Sequence, residues 1–197
     1  RNYIALLGWG YDEATTFFTT DELIEAFSLE RVGRSPAVFD EQKLRWMNGR
    51  YIREMDTGQL TEILEERLGR KGLRPAVEIA QEKMQTLEDF WRLAGFLMEP
   101  QPTDEKAWAK VMRDGAAGNL ARARQALASV EPFDQEHVEN ALRGVVDDLG
   151  VKPKDVYQPI RVAVSGSTVS PGIFESVVVL GREETLSRID GALSRAQ

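Results

Sequence analysis

The chain has 197 residues, 42% hydrophobic and 29% charged, which fits one large or two small domains of ordinary globular make-up. It has no cysteine, so disulfides and thiolate metal sites are excluded, and no apolar run reaches the ~20 residues of a membrane span. A net charge of −7 weighs against a nucleic-acid partner, though it says nothing about how charge is distributed.

The opening "RNYIALLGWGYDEATT" has no small-residue cleavage site and does not read as a signal peptide. It begins in apolar-patterned sequence without a methionine, so the expectation is the middle of a longer protein. Asn2 to Trp9 predicts a helix. In "TTDELIEAF", Thr19 and Glu22 have capping-box spacing, and Leu23, Ile24 and Phe27 share a predicted face. "SPAVFD", Ser35 to Asp40, predicts an extended link, with Asp40 capping "EQKLRWMNGRYIREM". There Leu44, Met47 and Tyr51 recur at i, i+3, i+7, and Lys43, Trp46, Arg50 and Arg53 lie on an adjoining, more exposed face. From Arg31 to Arg53, six basic residues (Arg31, Arg34, Lys43, Arg45, Arg50, Arg53) stand against Asp40 and Glu41, a local excess of cations in an acidic chain.

"TGQLTEILEERLGRKG" predicts an amphipathic helix through Leu60, Ile63, Leu64 and Leu68, ended by glycines. Pro75 sits near the first turn of "RPAVEIAQEKM", and Thr86 with Asp89 suggests a cap before "LEDFWRLAGFLM". Glu99 to Thr103, "EPQPT", is the most linker-like stretch. "DEKAWAKVM", "NLARARQALASV", "DQEHVENALRGVVDDLG" and "EETLSRIDGAL" each carry helical periodicity.

The stretch "YQPIRVAVSGSTVSPGIFESVVVLG" admits two readings. Ile160 to Val164 and Val177 to Leu180 could be strands by propensity. Alternatively Ser170 caps a helix with Pro171 at its first position and Gly181 as its stop. A lone hairpin among helices would have no sheet to join, which favours helix, turn, helix and an all-α fold.

His137 lies mid-helix by pattern, with no nucleophile motif nearby. The pairs Glu65-Glu66, Asp147-Asp148 and Glu183-Glu184 read as solvated helix charges, and no phosphate loop or dinucleotide fingerprint occurs. The residues therefore give no catalytic or metal site. Lys43, Arg45, Trp46, Arg50 and Arg53 suit a phosphodiester backbone, but equally a core tryptophan beneath a basic surface. Arg161 beside the helix start at Ser170 to Ile173 could form one polar pocket for a base or phosphate; a salt bridge is the plainer alternative.

The stretches "NYIALLGW", "FTTDELIEAFSLERV", "SPAVFDEQKLRWMNGRYIR" and "QPIRVAVSGSTVSPGIFESVVVLG" resemble, in this order, the C-terminal half of bacterial glutamyl-tRNA synthetases. The likeness is strongest at Asn2 to Arg53 and Gln158 to Leu193, and rests on helical spacing alone from Gln59 to Lys154. The resemblance implies an all-α helical cage: a stem-contact segment at 1–55, one anticodon-binding lobe at 56–100 and a second at 101–197. It implies that Lys43, Trp46 and Arg53 contact the tRNA stem, and that Gln158, Arg161, Ser170, Pro171 and Ile173 contact anticodon bases. Lys83, in "EKMQTL", stands where members strict for the glutamate tRNA carry arginine, so the glutamine tRNA becomes a second expected partner. ATP and Mg²⁺ would serve the parent ligase, whose His-x-Gly-His and Lys-Met-Ser-Lys-Ser signatures are absent from this sequence; this part would have no cofactor and no activity alone. The further expectations are a cytoplasmic monomer that binds neither DNA nor membrane. The alternative is a helical protein-interaction domain with a fortuitous basic face.

Overall fold

A computed structural model describes residues 1–12, 14–34 and 36–196. The chain divides into two compact units, Arg1–Tyr51 and Ile52–Gln197. Among the described residues no strand forms; only an isolated antiparallel bridge joins Trp9 to Val32. No helix of the described residues is long and apolar enough to cross a membrane.

In the first unit, helices α1 (Asn2–Ala5) and α2 (Thr20–Ala26) precede α3 (Glu41–Glu54). Helix α1 is shorter than expected: it stops at Ala5, and Trp9 turns inward to the bridge with Val32. Rings do what aliphatic side chains do elsewhere. Buried Trp9 meets Phe18 at 5.6 Å and Phe27 at 5.5 Å, and Tyr3 meets Phe39 at 5.3 Å, edge-on. The capping box forms as its spacing requires: the Thr19 hydroxyl accepts from Glu22 N at 3.2 Å, and Thr19 N donates to Glu22 Oε2 at 2.7 Å. The apolar face assigned to α2 does not hold, because Ile24 is 73% exposed. The link before α3 has no regular structure from Pro36 to Asp40, Ser35 lying outside the described residues. Asp40 caps α3, its carboxylate accepting from Lys43 N at 3.0 Å.

The second unit is a bundle of helices α4 (Thr57–Leu68), α5 (Arg74–Ala80), α6 (Asp89–Ala94), α7 (Glu105–Val111), α8 (Ala116–Ala128), α9 (Gln135–Leu149), α10 (Pro153–Ser165), α11 (Ile173–Leu180) and α12 (Arg182–Arg195). Two apolar clusters hold it. The first gathers Leu60, Leu64, Leu73, Val77, Met84 and Phe90; the second gathers Leu120, Leu127, Leu142, Ile160, Val177 and Ile189. Leu97 packs against both. Asp56, Asp104 and Asp134 cap α4, α7 and α9 through backbone N–H groups that the helices leave free. His137 is therefore in the first turn of α9, not mid-helix, and its Nδ1 lies 2.7 Å from Asp134 Oδ1.

Asp89 acts as a cap in reverse, accepting from Gln85 N and Thr86 N at 3.0 and 2.9 Å. The stretch Glu99–Thr103 is anchored at its far end rather than loose. Asp104 N donates to Gly166 O at 2.8 Å, and a Cβ on Gly166 would lie 2.8 Å from the Pro102 carbonyl oxygen. That close approach, with a φ of +72° at Gly166, requires glycine there.

Two contacts set the frame around Arg161. Helix α5 packs against α11, which brings the turn Gln81–Lys83 to the loop before α11. Within α10, Pro159 has no N–H to give the Asp155 carbonyl four residues back. The side chain of Asn119, on α8, supplies the missing donor to Asp155 O at 3.1 Å. The proline that would weaken α10 thereby pins it to α8.

Candidate functional site

The helix–turn–helix reading of Tyr157–Gly181 holds, but α11 begins at Ile173 with Gly172 as N-cap. Ser170 and Pro171 thus lie in the loop and do not start the helix. Ser170 is nearly sealed, and its hydroxyl is engaged elsewhere. Arg161 Nη1 donates to Ser170 Oγ and, at 2.7 Å, to Pro171 O. Lys83 Nζ donates to Ser170 O at 2.8 Å across 87 residues of sequence. Five of the residues expected at one site are therefore brought together: Lys83, Arg161, Ser170, Pro171 and, at the foot of α11, buried Ile173.

The guanidinium of Arg161 is partly buried without a salt bridge. Its Nε is sealed and has no partner, whereas Nη2 is neither bonded to a described residue nor closed off from solvent. Nη1 is spent on the loop and Nε is sealed, so Nη2 is the guanidinium nitrogen left to meet an acceptor from outside. Burial pushes the Lys83 ammonium below the ordinary lysine value; the neighbouring Arg161 charge pushes the same way, and Glu175 opposes both. Burial also lowers Arg161, again against Glu175.

Glu175 is a residue the sequence reading missed. It folds back on the start of α11, where a Cβ on Gly172 would collide with its carboxylate. Gln135 Nε2 donates to it at 3.3 Å. The signal was present: a glutamate three residues beyond the N-cap is placed to answer the helix's unpaired N–H groups. The start of α11 is therefore already faced by an anion, and an incoming acceptor there would compete with it.

Gln158 stands one turn before Arg161 on α10. Its Oε1 is buried without a partner, and the residue lines a cleft of about 870 Å³ between the starts of α8 and α10.

In the first unit, Lys43 and Trp46 lie on α3 three residues apart. Trp46 is 47% exposed, so it is not a core tryptophan, and its ring meets Phe17 edge-on at 5.2 Å. The Arg50 guanidinium lies 3.9 Å from the centre of the Phe17 ring. Arg45 is engaged by Glu41 at 3.0 Å, one turn back on α3. Arg53, beyond Tyr51, belongs to the second unit and is half-buried.

A family model described as an anticodon binding domain matches residues 44–193. Glutamate–tRNA ligase 2 of Rhodospirillum rubrum is 40% identical over 209 residues, covering 100% of this chain and 44% of that protein. Glutamate–tRNA ligase 1 of Caldanaerobacter subterraneus is 36% identical over 204 residues, covering 98% of this chain and 42% of that one. A solved glutamate tRNA ligase from Elizabethkingia meningosepticum shares the fold, with a TM-score of 0.84 at 22% identity over 100% of this chain and 40% of its own. The chain spans less than half the length of these relatives.

Proposed function

The chain belongs to the anticodon-binding domain family, and we propose that it grips the anticodon of a glutamate tRNA on behalf of a glutamate–tRNA ligase. One observation carries the proposal: the convergence of Lys83, Arg161, Ser170 and Pro171 at the loop before α11. A base splayed from a loop offers a flat edge of donors and acceptors, and the Nη2 of a guanidinium fixed by the loop is suited to an acceptor on that edge. Ile173 gives the same place an apolar floor, and Gln158 a buried acceptor one helical turn away.

In this reading Lys43, Trp46 and Arg53 contact the stem through charge and ring face. Lys83 replaces a bidentate fork with a single ammonium that is already bonded to Ser170 O, so discrimination is relaxed and the glutamine tRNA is also bound. Residues 1–55 form the stem-contact segment, and 56–100 and 101–197 the two anticodon lobes. The protein acts as a cytoplasmic monomer. Joining glutamate to tRNA with ATP and Mg²⁺ falls to other parts of the ligase.

The test is binding of an unmodified glutamate tRNA transcript at several salt concentrations, beside one with an altered anticodon. Affinity should fall steeply with salt and be lower for the altered anticodon. No measurable binding to either would leave a protein-interaction domain as the better reading.

A further inference from the structure

The cleft between α8 and α10 is not explained by the contacts around Arg161. Lys110, Arg113 and Lys154 line it, and none of the three has an ion-pair or side-chain hydrogen-bond partner among the described residues. Lys106 and Lys152 are likewise unpaired among the described residues; what joins Lys110, Arg113 and Lys154 is the one cleft they line. Arg67, Arg70, Arg74, Arg92, Arg124 and Arg143 all sit on carboxylates.

The cleft wall adds two helix starts. Helices α8 and α10, 13 residues each, begin at Gly115 and Lys152 without a side-chain cap, and Gly115, Ala116, Lys154 and Asp155 line the opening. Each start carries the positive end of its helix dipole. The Asn119 bond to Asp155 O fixes the two starts relative to each other. Two carboxylates, Asp114 and Asp155, share the rim and leave the lining with one net positive charge. Half-buried Gln158 also lines the cleft, with its Oε1 sealed from solvent.

A cleft with uncommitted cations and two uncapped helix starts matches the anionic phosphate of a nucleotide. We propose that this cleft seats the backbone phosphate of the loop nucleotide adjoining the bases read at Arg161, with Lys110, Arg113 and Lys154 as its counter-charges. The proposal rests on the anticodon-binding reading, because Gln158 and Arg161 lie one turn apart on α10 and a single bound loop would span both.

The experiment uses the 197-residue chain and an anticodon stem-loop RNA in which one phosphate at a time is replaced by a neutral methylphosphonate. For the unaltered protein, one linkage beside the anticodon should cost about fivefold in affinity at low salt. The double variant Lys110→Gln/Arg113→Gln should lose about the same with native RNA, lower its salt slope by about 0.7 per lost contact, and lose nothing further at that linkage. Both side chains are exposed, so the fold should survive, which circular dichroism checks; Lys154→Gln should repeat the pattern more weakly. If the double variant keeps its affinity and salt slope while anticodon preference persists, the cleft proposal fails alone. Losses that add at every linkage would also overturn it, since they describe unspecific surface charge. If the unaltered chain shows no anticodon preference, the function reading fails and this one with it.

Discussion

Helix α3 in the first unit and the loop before α11 in the second both present cations, but they hold them differently. Lys43 stands in solvent, so its charge is offered with little constraint on direction. Arg161 and Lys83 are held by hydrogen bonds to Ser170 and Pro171 and lose part of their hydration. Loosely held cations suit phosphates, which recur along any RNA whatever its sequence; fixed donors suit base edges, which do not. The difference separates affinity from selectivity within one chain.

The sharpest way to break that contrast is to remove the frame. Ile160, fully buried beside Arg161 on α10, should cost about 2–5 kcal/mol of stability as Ile160→Ala in urea unfolding. Trp46→Ala on α3 should cost no more than about 1 kcal/mol, as expected of a half-exposed ring in one edge-on pair. Equal costs would mean that the two regions are not held differently. Next in size, Arg161→Ala should weaken binding of the cognate transcript by about 1–3 kcal/mol and of an altered anticodon much less. A loss shared by both RNAs would reduce Arg161 to a phosphate contact.

Lys43→Ala should weaken both RNAs alike and reduce the salt slope by about 0.9; a selective loss would place base reading on α3. The smallest effect belongs to Lys83. Its folded pKa is depressed, so it sheds its proton at a lower pH than an ordinary lysine, and bound RNA favours the charged form. Affinity should therefore fall as pH rises through that lowered value, still below the usual lysine pKa. Lys83→Arg should remove that fall and shift preference toward the glutamate tRNA over the glutamine tRNA. An unchanged pH profile and preference would take Lys83 out of the reader.

Much of the fold was legible in the sequence where the signal is local. The capping box at Thr19 and the cap at Asp40 follow from side-chain reach alone. The apolar rhythm of Leu60 and Leu64 located their buried face. What was not legible depended on packing. Serine before proline is a sound start signal, yet α11 starts at Ile173 because Ser170 is engaged by Arg161 instead. Ile24 matched a helical stripe, but nothing in its unit covers it. The resemblance placed Lys83 among the base contacts; its bond to Ser170 O, from 87 residues away, depends on α5 packing against α11. The role of Asn119 was invisible for the same reason: it answers a carbonyl freed by a proline on another helix.

The most direct test is a photo-crosslink from 4-thiouridine placed at an anticodon position of a bound glutamate tRNA transcript. The adduct should map to the segment from Gln158 to Ile173, and fade when unlabelled cognate transcript competes. An adduct on Glu41 to Glu54 instead, with binding intact, would contradict the assignment of base reading to the loop before α11.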